Sequence, residues 1–270
     1  MSNIRFVVFH VGVEVLHHYL PLMRAGKEAL AVTNPGARYV VLTDKETAPH
    51  LKKEFEVEVL APGGLPLMAA YITAQAEYEK RAEPGLVILA ATDCVANRDL
   101  SDSLKHNIAV TYRFRKNDCQ RLVNNVAYIE DHDRGAWFLE RCLGELWNIN
   151  KQSYTEWWGD QEAWQRALGP VDTWEKVDDQ GVRLAKPDGV WIHLYPCSTH
   201  NYFNKFSGAS SCQSEIAYIL HFKGSRKKYM VDAVTMHILG GRRIPGIQDA
   251  PRTNWKLNKL DGKRTPSTPE

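Results

Sequence analysis

The sequence lacks the features that mark a disulfide-rich, zinc-binding or membrane protein. Its five cysteines form no C-x-x-C pair and their number is odd, which indicates reduced thiols rather than a disulfide framework or a zinc site. No apolar run approaches the roughly 20 residues that a membrane-spanning helix needs. The N-terminal stretch MSNIRFVVFH does not follow a signal-peptide pattern. With 270 residues and 44% apolar residues, we therefore expect a globular cytoplasmic protein without a membrane span.

A strong excess of charge is also missing, since the net charge is only +2, but the charge is unevenly distributed. From Lys223 to the C-terminus there are 11 Lys and Arg residues against 4 Asp and Glu residues, a net charge of +7. A basic segment predicts an anionic partner, such as a diphosphate, a nucleic acid or an acidic surface. The alternative is a solvated tail, which we favour for the end of the chain.

Short apolar runs alternate with helix-like segments in the first half of the chain. The predicted strands are Ile4–Phe9, Ala37–Leu42, Val57–Leu60 and Leu86–Ala91, and the predicted helices are Pro21–Val32, Ala48–Phe55 and Pro66–Arg81, each proline opening its helix. This alternation predicts an α/β fold with a mixed, mostly parallel sheet flanked by helices. We assign residues 1–248 to one domain, with a Rossmann-like nucleotide half at 1–112 and an acceptor half at 113–248. Residues 249–270 are expected to form a basic, flexible tail.

Polar residues follow three of the four predicted strands. His10 follows the first, Thr43 and Asp44 follow the second, and Thr92 and Asp93 follow the fourth. Ligands of open α/β sheets bind beyond the carboxyl ends of the strands, so His10, Asp44, Thr92 and Asp93 are candidates for a nucleotide pocket. Structural alternatives exist: Thr43 and the Glu three residues later form a capping-box pattern, and Asp93 can cap the following turn.

A second constellation is His221, Gly224 and Lys227, spaced as H-x-x-G-x-x-K. A glycine lets the backbone come close to phosphate groups, and a lysine acts on them as a point charge. Together with Asp93 these residues suit a metal-bound diphosphate. The structural alternative for His221 is a core histidine at a strand end.

Five motifs in this order resemble those of GT-A-fold glycosyltransferases, and the pattern is most similar to the family-eight type, which includes glycogenin and galactosyltransferases. The resemblance spans residues 4–230. Its motifs are the D-x-D region at Ala91–Asp93 followed by Arg98–Asp102, the strand at Asn124–Ala127, the "DQ" helix start at Gly159–Ala163, the turn at Pro196–Asn201 and the H-x-x-G-x-x-K segment.

The resemblance implies that a hexosyl or pentosyl group moves from a nucleotide-diphospho-sugar, with a UDP-sugar favoured, to a hydroxyl acceptor. It implies Mn²⁺ or Mg²⁺ held by Asp93 and His221, and leans towards retention of configuration. Other implied donor contacts and catalytic positions are Asn124, Asn125, Asp160 and Gln161. Asp160 is our first candidate for a carboxylate base in an inverting reaction, whereas Gln161 suits a retaining one. Ordinary N-capping also explains Asp160.

One departure from the family pattern concerns the metal. Ala91 stands where the first acid of D-x-D is expected, which leaves Asp93 and His221 as protein ligands. Since Mg²⁺-type ions commonly take only one or two protein carboxylates, the site stays workable, but metal affinity without the donor should be weak. The alternative is a metal-independent enzyme that relies on Lys227 with its neighbours Arg226 and Lys228.

The acceptor is the least determined part of the function. Trp158 is a candidate stacking residue for it. A modified base in DNA is one alternative, as in phage-type DNA glycosyltransferases, with Arg242 and Arg243 contacting phosphates. The alternative of another class is a non-catalytic protein that binds a nucleotide or nucleic acid, which the loss of an acid at Ala91 motivates.

Overall fold

The computed structural model describes residues 3–113, 121–149, 159–203 and 214–247, except for the side chains of residues 121–125. The described strands are β1 (Ile4–Phe9), β2 (Arg38–Thr43), β3 (Glu56–Val59), β4 (Leu86–Ala90), β5 (Cys94–Ala96), β6 (Ile108–Arg113), β7 (Arg121–Ile129), β8 (Glu175–Lys176), β9 (Arg183–Ala185), β10 (Ile192–Pro196) and β11 (Ile219–His221). The α-helices are α1 (Val13–Thr33), α2 (Ala48–Leu51), α3 (Leu67–Glu79), α4 (His132–Asn148), α5 (Gly159–Leu168), α6 (Cys197–His200) and α7 (Met230–Ala233).

Nine of the described strands form one sheet in the order β3-β2-β1-β4-β7-β6-β10-β9-β8. The strands β3, β2, β1 and β4 pair in parallel, as do β6 and β10, and the other pairings are antiparallel. The predicted mixed α/β sheet flanked by helices is therefore confirmed. The parallel half places the carboxyl ends of β1, β2 and β4 along one edge of the sheet.

Successive residues of the central strands alternate between two apolar cores, as the two-residue period of a strand requires. In β1, Val7 packs in the core that contains α3, α4 and α5, whereas Phe6 and Val8 pack in the core that contains α1. All of these side chains are buried. Because both faces are covered by helices, these strands need continuous apolar runs, which is the pattern by which β1 and β4 were predicted.

The first helix begins earlier than predicted. We expected Pro21 to open it, but α1 begins at Val13 and contains Pro21 in its interior. An internal proline removes one helical hydrogen bond and costs about 3 kcal/mol. Burial of Leu16, Leu22 and Met23 against the sheet and the C-terminal helices offsets this cost.

A third apolar core joins α1 to the C-terminal part of the described chain. Leu22 and Ala25 of α1 pack there with Leu220 of β11 and with Met230 and Ala233 of α7. The small sheet of β5 and β11 belongs to the same core and lies against α1. This packing holds the segment after β11 next to the end of β4. In the part of the chain that the structure describes, no helix is long and apolar enough to cross a membrane.

Candidate functional site

Asp93 lies at the carboxyl edge of the sheet, three residues beyond the end of β4. The turn that carries it is closed by a hydrogen bond from the Cys94 N–H to the Ala91 carbonyl at 3.0 Å. The Asp93 carbonyl accepts a hydrogen bond from the Phe222 N–H at 2.8 Å, which ties the turn to the end of β11. Asp93 is buried, with only 6% of its side chain exposed. A buried carboxylate requires charged or hydrogen-bonding partners, and two side chains provide them.

His221 is the first of these partners. The strands β5 and β11 pair antiparallel, and this register places His221 opposite Cys94, directly after Asp93. Its Nε2 lies 3.4 Å from Oδ1 of Asp93. Its Nδ1 is buried without a hydrogen-bond partner among the described residues. A neutral imidazole whose Nε2 faces a carboxylate can act with that carboxylate as a metal ligand.

Lys227 is the second partner, and it returns to Asp93 through a short 3-10 helix at Gly224–Tyr229. Gly224 opens this helix with φ at +66°, where a side chain would be strained although it would meet no atom within 4 Å. The Lys227 Nζ lies 3.2 Å from Oδ2 of Asp93. It also lies 4.9 Å from the centre of the Tyr19 ring, in a cation–π contact.

The neighbours of Asp93 determine its ionisation and that of Lys227. Burial by itself raises the pKa of Asp93, but Lys227 and His221 outweigh it and hold that pKa well below its ordinary range. Burial likewise lowers the pKa of Lys227, and the Asp93 carboxylate outweighs it, so the pKa of the ammonium lies above its ordinary value. Asp93 and Lys227 are therefore a buried carboxylate and a buried ammonium at neutral pH.

Asp160 is electrostatically connected to the same site through Lys223. Burial lowers the pKa of Lys223, while the carboxylates of Asp93 and Asp160 both raise it in part. Both acids thus lie within electrostatic range of one ammonium. Asp160 itself is buried near the start of α5, and its Oδ1 accepts the Gln161 N–H at 2.8 Å. This bond is to the adjacent N–H inside α5, whereas an N-cap oxygen accepts an N–H two or three residues further on, so the capping alternative stays a prediction.

The donor atoms around Asp93 form a candidate metal site. One oxygen of Asp93, a ring nitrogen of His221 and the sulfur of Cys94 lie within 4.8 Å of one another. The oxygen and the nitrogen fit Mn²⁺ or Mg²⁺, and the unpaired Nδ1 of His221 leaves that ring a free ligand atom among the described residues. The Cys94 thiol does not suit these hard ions, because burial holds its pKa well above its ordinary value and keeps it protonated.

The other residues predicted at the sheet edge lie in the loops after β1 and β2 or beside Asp93. His10 and Thr92 are both buried. The His10 ring lies 5.1 Å from that of Tyr19, which in turn contacts Lys227. The side chain of Asp44 accepts the backbone N–H of Thr47 at 2.7 Å.

The capping box predicted for the loop after β2 is wrong. Thr43 is the last residue of β2, and its hydroxyl has no hydrogen-bond partner among the described residues. Thr47 instead joins two loops of the sheet edge, because its hydroxyl accepts the Gly12 N–H at 3.0 Å. Asp44 closes the turn before α2, because its side chain accepts the Thr47 N–H three residues further on.

The remaining predicted residues either lie apart from the cluster around Asp93 or fall outside the described residues. Lys228 is exposed and its Nζ lies over the Tyr229 ring at 4.8 Å, while Arg242 and Arg243 are exposed beyond α7. Arg226 is half-buried on the same 3-10 helix as Lys227. Trp158 and the side chains of Asn124 and Asn125 lie outside the described residues, as does the tail at 249–270.

Several residues of the site were missed by reasoning from the sequence. Tyr19 on α1, Lys223 after β11 and Cys94 carry no motif that could have identified them. Phe203, two residues after the predicted turn at Pro196–Asn201, was missed as well; its ring lies 6.0 Å from that of His221 and 4.5 Å from the Arg113 guanidinium. Phe203 and Arg113 line a cleft of about 300 Å³, together with Tyr112, Pro196, Cys197, Ser198 and Tyr202.

Neither a protein-family model nor a curated protein sequence matches this chain. Among solved structures, the chain is similar to the glycosyltransferase GlyE of Streptococcus pneumoniae TIGR4, with a TM-score of 0.49 and 11% sequence identity over 85% of this chain and 56% of GlyE. The apo form of the same enzyme matches with a TM-score of 0.44 and 14% identity over 67% of this chain and 46% of GlyE. The chain thus spans about half the length of GlyE. Because both TM-scores are below 0.5, we base the function on the residues of the site.

Proposed function

We propose that the chain is a glycosyltransferase that takes a sugar from a nucleotide-diphospho-sugar and transfers it to a hydroxyl acceptor. The observation that carries this proposal is the buried cluster at the carboxyl edge of the sheet, where Asp93 meets both His221 and Lys227. Ligands of open α/β sheets bind at this edge. The resemblance of the motif order to family-eight glycosyltransferases adds UDP as the favoured nucleotide.

The chemistry of glycosyl transfer matches the charges of this cluster. Breaking the bond between the sugar and the diphosphate places negative charge on the leaving diphosphate. The ammonium groups of Lys227 and Lys223 stabilise that charge, because partly buried donors are screened by water less than exposed ones. Gly224, which is exposed and carries no side chain, allows phosphate oxygens to approach the backbone.

Asp93 and His221 are the residues that would hold a metal ion here. A bound Mn²⁺ or Mg²⁺ supplies Lewis-acid neutralisation of the diphosphate charge. With Ala91 in place of a second carboxylate, the protein provides two suitable ligand groups from its described residues. Diphosphate oxygens and water are the natural ligands for the other positions.

Asp160 and Gln161 are the proposed catalytic residues at the sugar. The carboxylates of Asp160 and Asp93 both act on the ammonium of Lys223, which supports a role for Asp160 near the proposed diphosphate site. We propose retention of configuration on the resemblance. Proton NMR of the product anomer tests this, since an inverted product would instead assign Asp160 as the base on the acceptor.

A donor panel tests the proposal directly. The chain is mixed with UDP-, GDP-, ADP- and CMP-sugars with and without Mn²⁺, and its thermal unfolding is followed. A ligand at 100 times its Kd adds about 2.7 kcal/mol of stability, which is enough to detect. We expect stabilisation by one nucleotide class and hydrolysis or transfer of its sugar. If no nucleotide-sugar stabilises the chain in either condition, the proposal is wrong.

Substitutions at the cluster test which residues carry turnover. Asp93→Ala and His221→Ala should each lower kcat by about 100-fold or more, as loss of transition-state charge stabilisation does. Asp172→Ala and His50→Ala, which alter exposed residues of the same types outside the motifs, are the matched controls and should keep near-native rates. Near-native turnover by both cluster variants would contradict the site.

A modified base in DNA is a second acceptor candidate, motivated by the basic C-terminal segment. Within the described residues, Arg242 and Arg243 are exposed and near each other in sequence. Retention of duplex DNA that weakens steeply between 50 and 200 mM salt would support it. Salt-independent or absent retention would leave glycans, proteins or small molecules as acceptors.

A further inference from the structure

The carboxylate that a metal ion would need in this site is already paired with an ammonium group. Oδ1 of Asp93 faces the His221 ring at 3.4 Å, and Oδ2 of Asp93 faces the Lys227 Nζ at 3.2 Å. The Asp93 side chain is 6% exposed and that of Lys227 is 14% exposed, so water screens this pair very little. A divalent cation therefore competes with Lys227 for the charge of Asp93.

The Lys227 ammonium has a second attractive contact besides Asp93. Its ammonium lies 4.9 Å from the Tyr19 ring, an attraction that does not depend on Asp93. Lysine carries its charge on a flexible four-carbon stem, so the ammonium can turn from a carboxylate to a nearby phosphate without movement of the helix that bears it. Because residue 91 is alanine, the site lacks a second acid that could hold a metal ion independently of Asp93.

We propose that Lys227 is a built-in counter-ion that occupies Asp93 in the free protein and turns to the donor diphosphate when metal and donor bind together. This inference rests on the proposed function. Its consequence is that the affinity for the metal depends on the diphosphate, and by linkage the affinity for the diphosphate depends equally on the metal. Lys227 thereby weakens the binding of a metal ion in the absence of the substrate.

Calorimetric titration of Mn²⁺ into the full chain, with and without saturating UDP, measures this coupling. For the wild-type chain we expect Mn²⁺ to bind at least about tenfold more tightly in the presence of UDP, within the usual range of coupling between sites. Lys227→Met should bind Mn²⁺ alone about tenfold more tightly than the wild type, since Asp93 is then free of its competitor. Its Mn²⁺ affinity should gain less from UDP.

Two variants control this experiment. Lys227→Arg keeps a positive charge at the same position and should bind Mn²⁺ alone as weakly as the wild type. Lys228→Met removes an equal charge one residue away, where the ammonium lies over Tyr229 and is exposed, and should leave Mn²⁺ binding unchanged. Far-UV circular dichroism checks that each variant is folded, and Lys227→Gln replaces Lys227→Met if the latter is not.

The outcomes separate this inference from the proposed function. If UDP binds and Lys227→Met takes up Mn²⁺ alone no more tightly than the wild type, the counter-ion role is refuted while the donor site stands. Absence of measurable Mn²⁺ binding in every variant refutes the role as well. If UDP fails to bind under all conditions while Lys227→Met gains Mn²⁺ affinity, the competition at Asp93 is supported and UDP is wrong as the donor nucleotide; if GDP, ADP and CMP fail to bind as well, the proposed function is wrong.

Discussion

The buried pair of Asp93 and Lys227 leads to a quantitative prediction about stability. At the observed 3.2 Å and an effective dielectric of about 20, the Coulomb attraction is about 5 kcal/mol. Burial of both charges offsets much of this, so the pair contributes little net stability. Removing one partner is a different matter, because it leaves the other charge buried alone. We therefore expect Asp93→Asn to lower the free energy of unfolding by about 3 to 5 kcal/mol.

The double variant Asp93→Asn with Lys227→Met removes both charges and should recover part of that loss. A coupling free energy of about 1 to 3 kcal/mol is expected between the two substitutions. Urea unfolding of the four proteins, followed by circular dichroism and tryptophan fluorescence, gives the cycle, provided that the slope with denaturant is unchanged.

The surface pair of Lys176 and Asp179, at 2.8 Å and largely exposed, provides the matched control cycle. Solvent screening should make its coupling too small to measure. If the Asp93 and Lys227 substitutions are additive within about 0.5 kcal/mol, the two groups do not interact in solution and the description of the site is wrong.

Two further predictions concern backbone conformation and pH. Gly224→Ala should destabilise the fold by about 1 kcal/mol because φ is +66° there. Gly144→Ala, in the interior of α4 with open space around it, should stabilise the fold by a similar amount. Thermal unfolding measures both variants, and equal changes in stability would contradict the conformational explanation. Burial lowers the pKa of His193 and of His200 to about 4. Since the unfolded chain then binds more protons than the folded one between about pH 6.5 and 4, the free energy of unfolding should fall as the pH is lowered through this window. His200→Gln should flatten this fall in a pH series of urea titrations, and an unchanged slope would show that His200 does not titrate as described.

The sheet could be predicted because burial on both faces imposes long apolar runs. The strand at Ile4–Phe9 was predicted with its observed bounds, and the end of β4 was placed within one residue. The start of α1 could not be predicted in this way. Local rules favour Pro21 as a first-turn residue, and only the tertiary packing of Leu22 and Met23 explains why the helix continues through it.

The site was predictable only in part, for a related reason. Asp93 follows from the rule that ligands bind at the carboxyl ends of parallel strands. His221 and Lys227 followed from their spacing and from the family resemblance. Nothing in the spacing indicates that Lys227 reaches Asp93, because this depends on the antiparallel pairing of β5 with β11 and on the turn at Gly224. The contact of Tyr19 with the site could not be predicted either, because Tyr19 lies in the part of α1 before Pro21, which local patterns did not predict as helix.

The absence of an acid at position 91 and the presence of Lys227 have one electrostatic consequence in common. Among the described groups around the site, the carboxylates of Asp93 and Asp160 lie within electrostatic range of Lys223, Lys227 also pairs with Asp93, and the Arg113 guanidinium adds a third positive charge within range of Lys223. These positive groups outnumber the two carboxylates, so the free site needs no resident cation. An acid at Ala91 would cancel this excess of positive charge. A diphosphate brings more negative charge than the excess can balance, so additional positive charge is required at the moment of donor binding and not before.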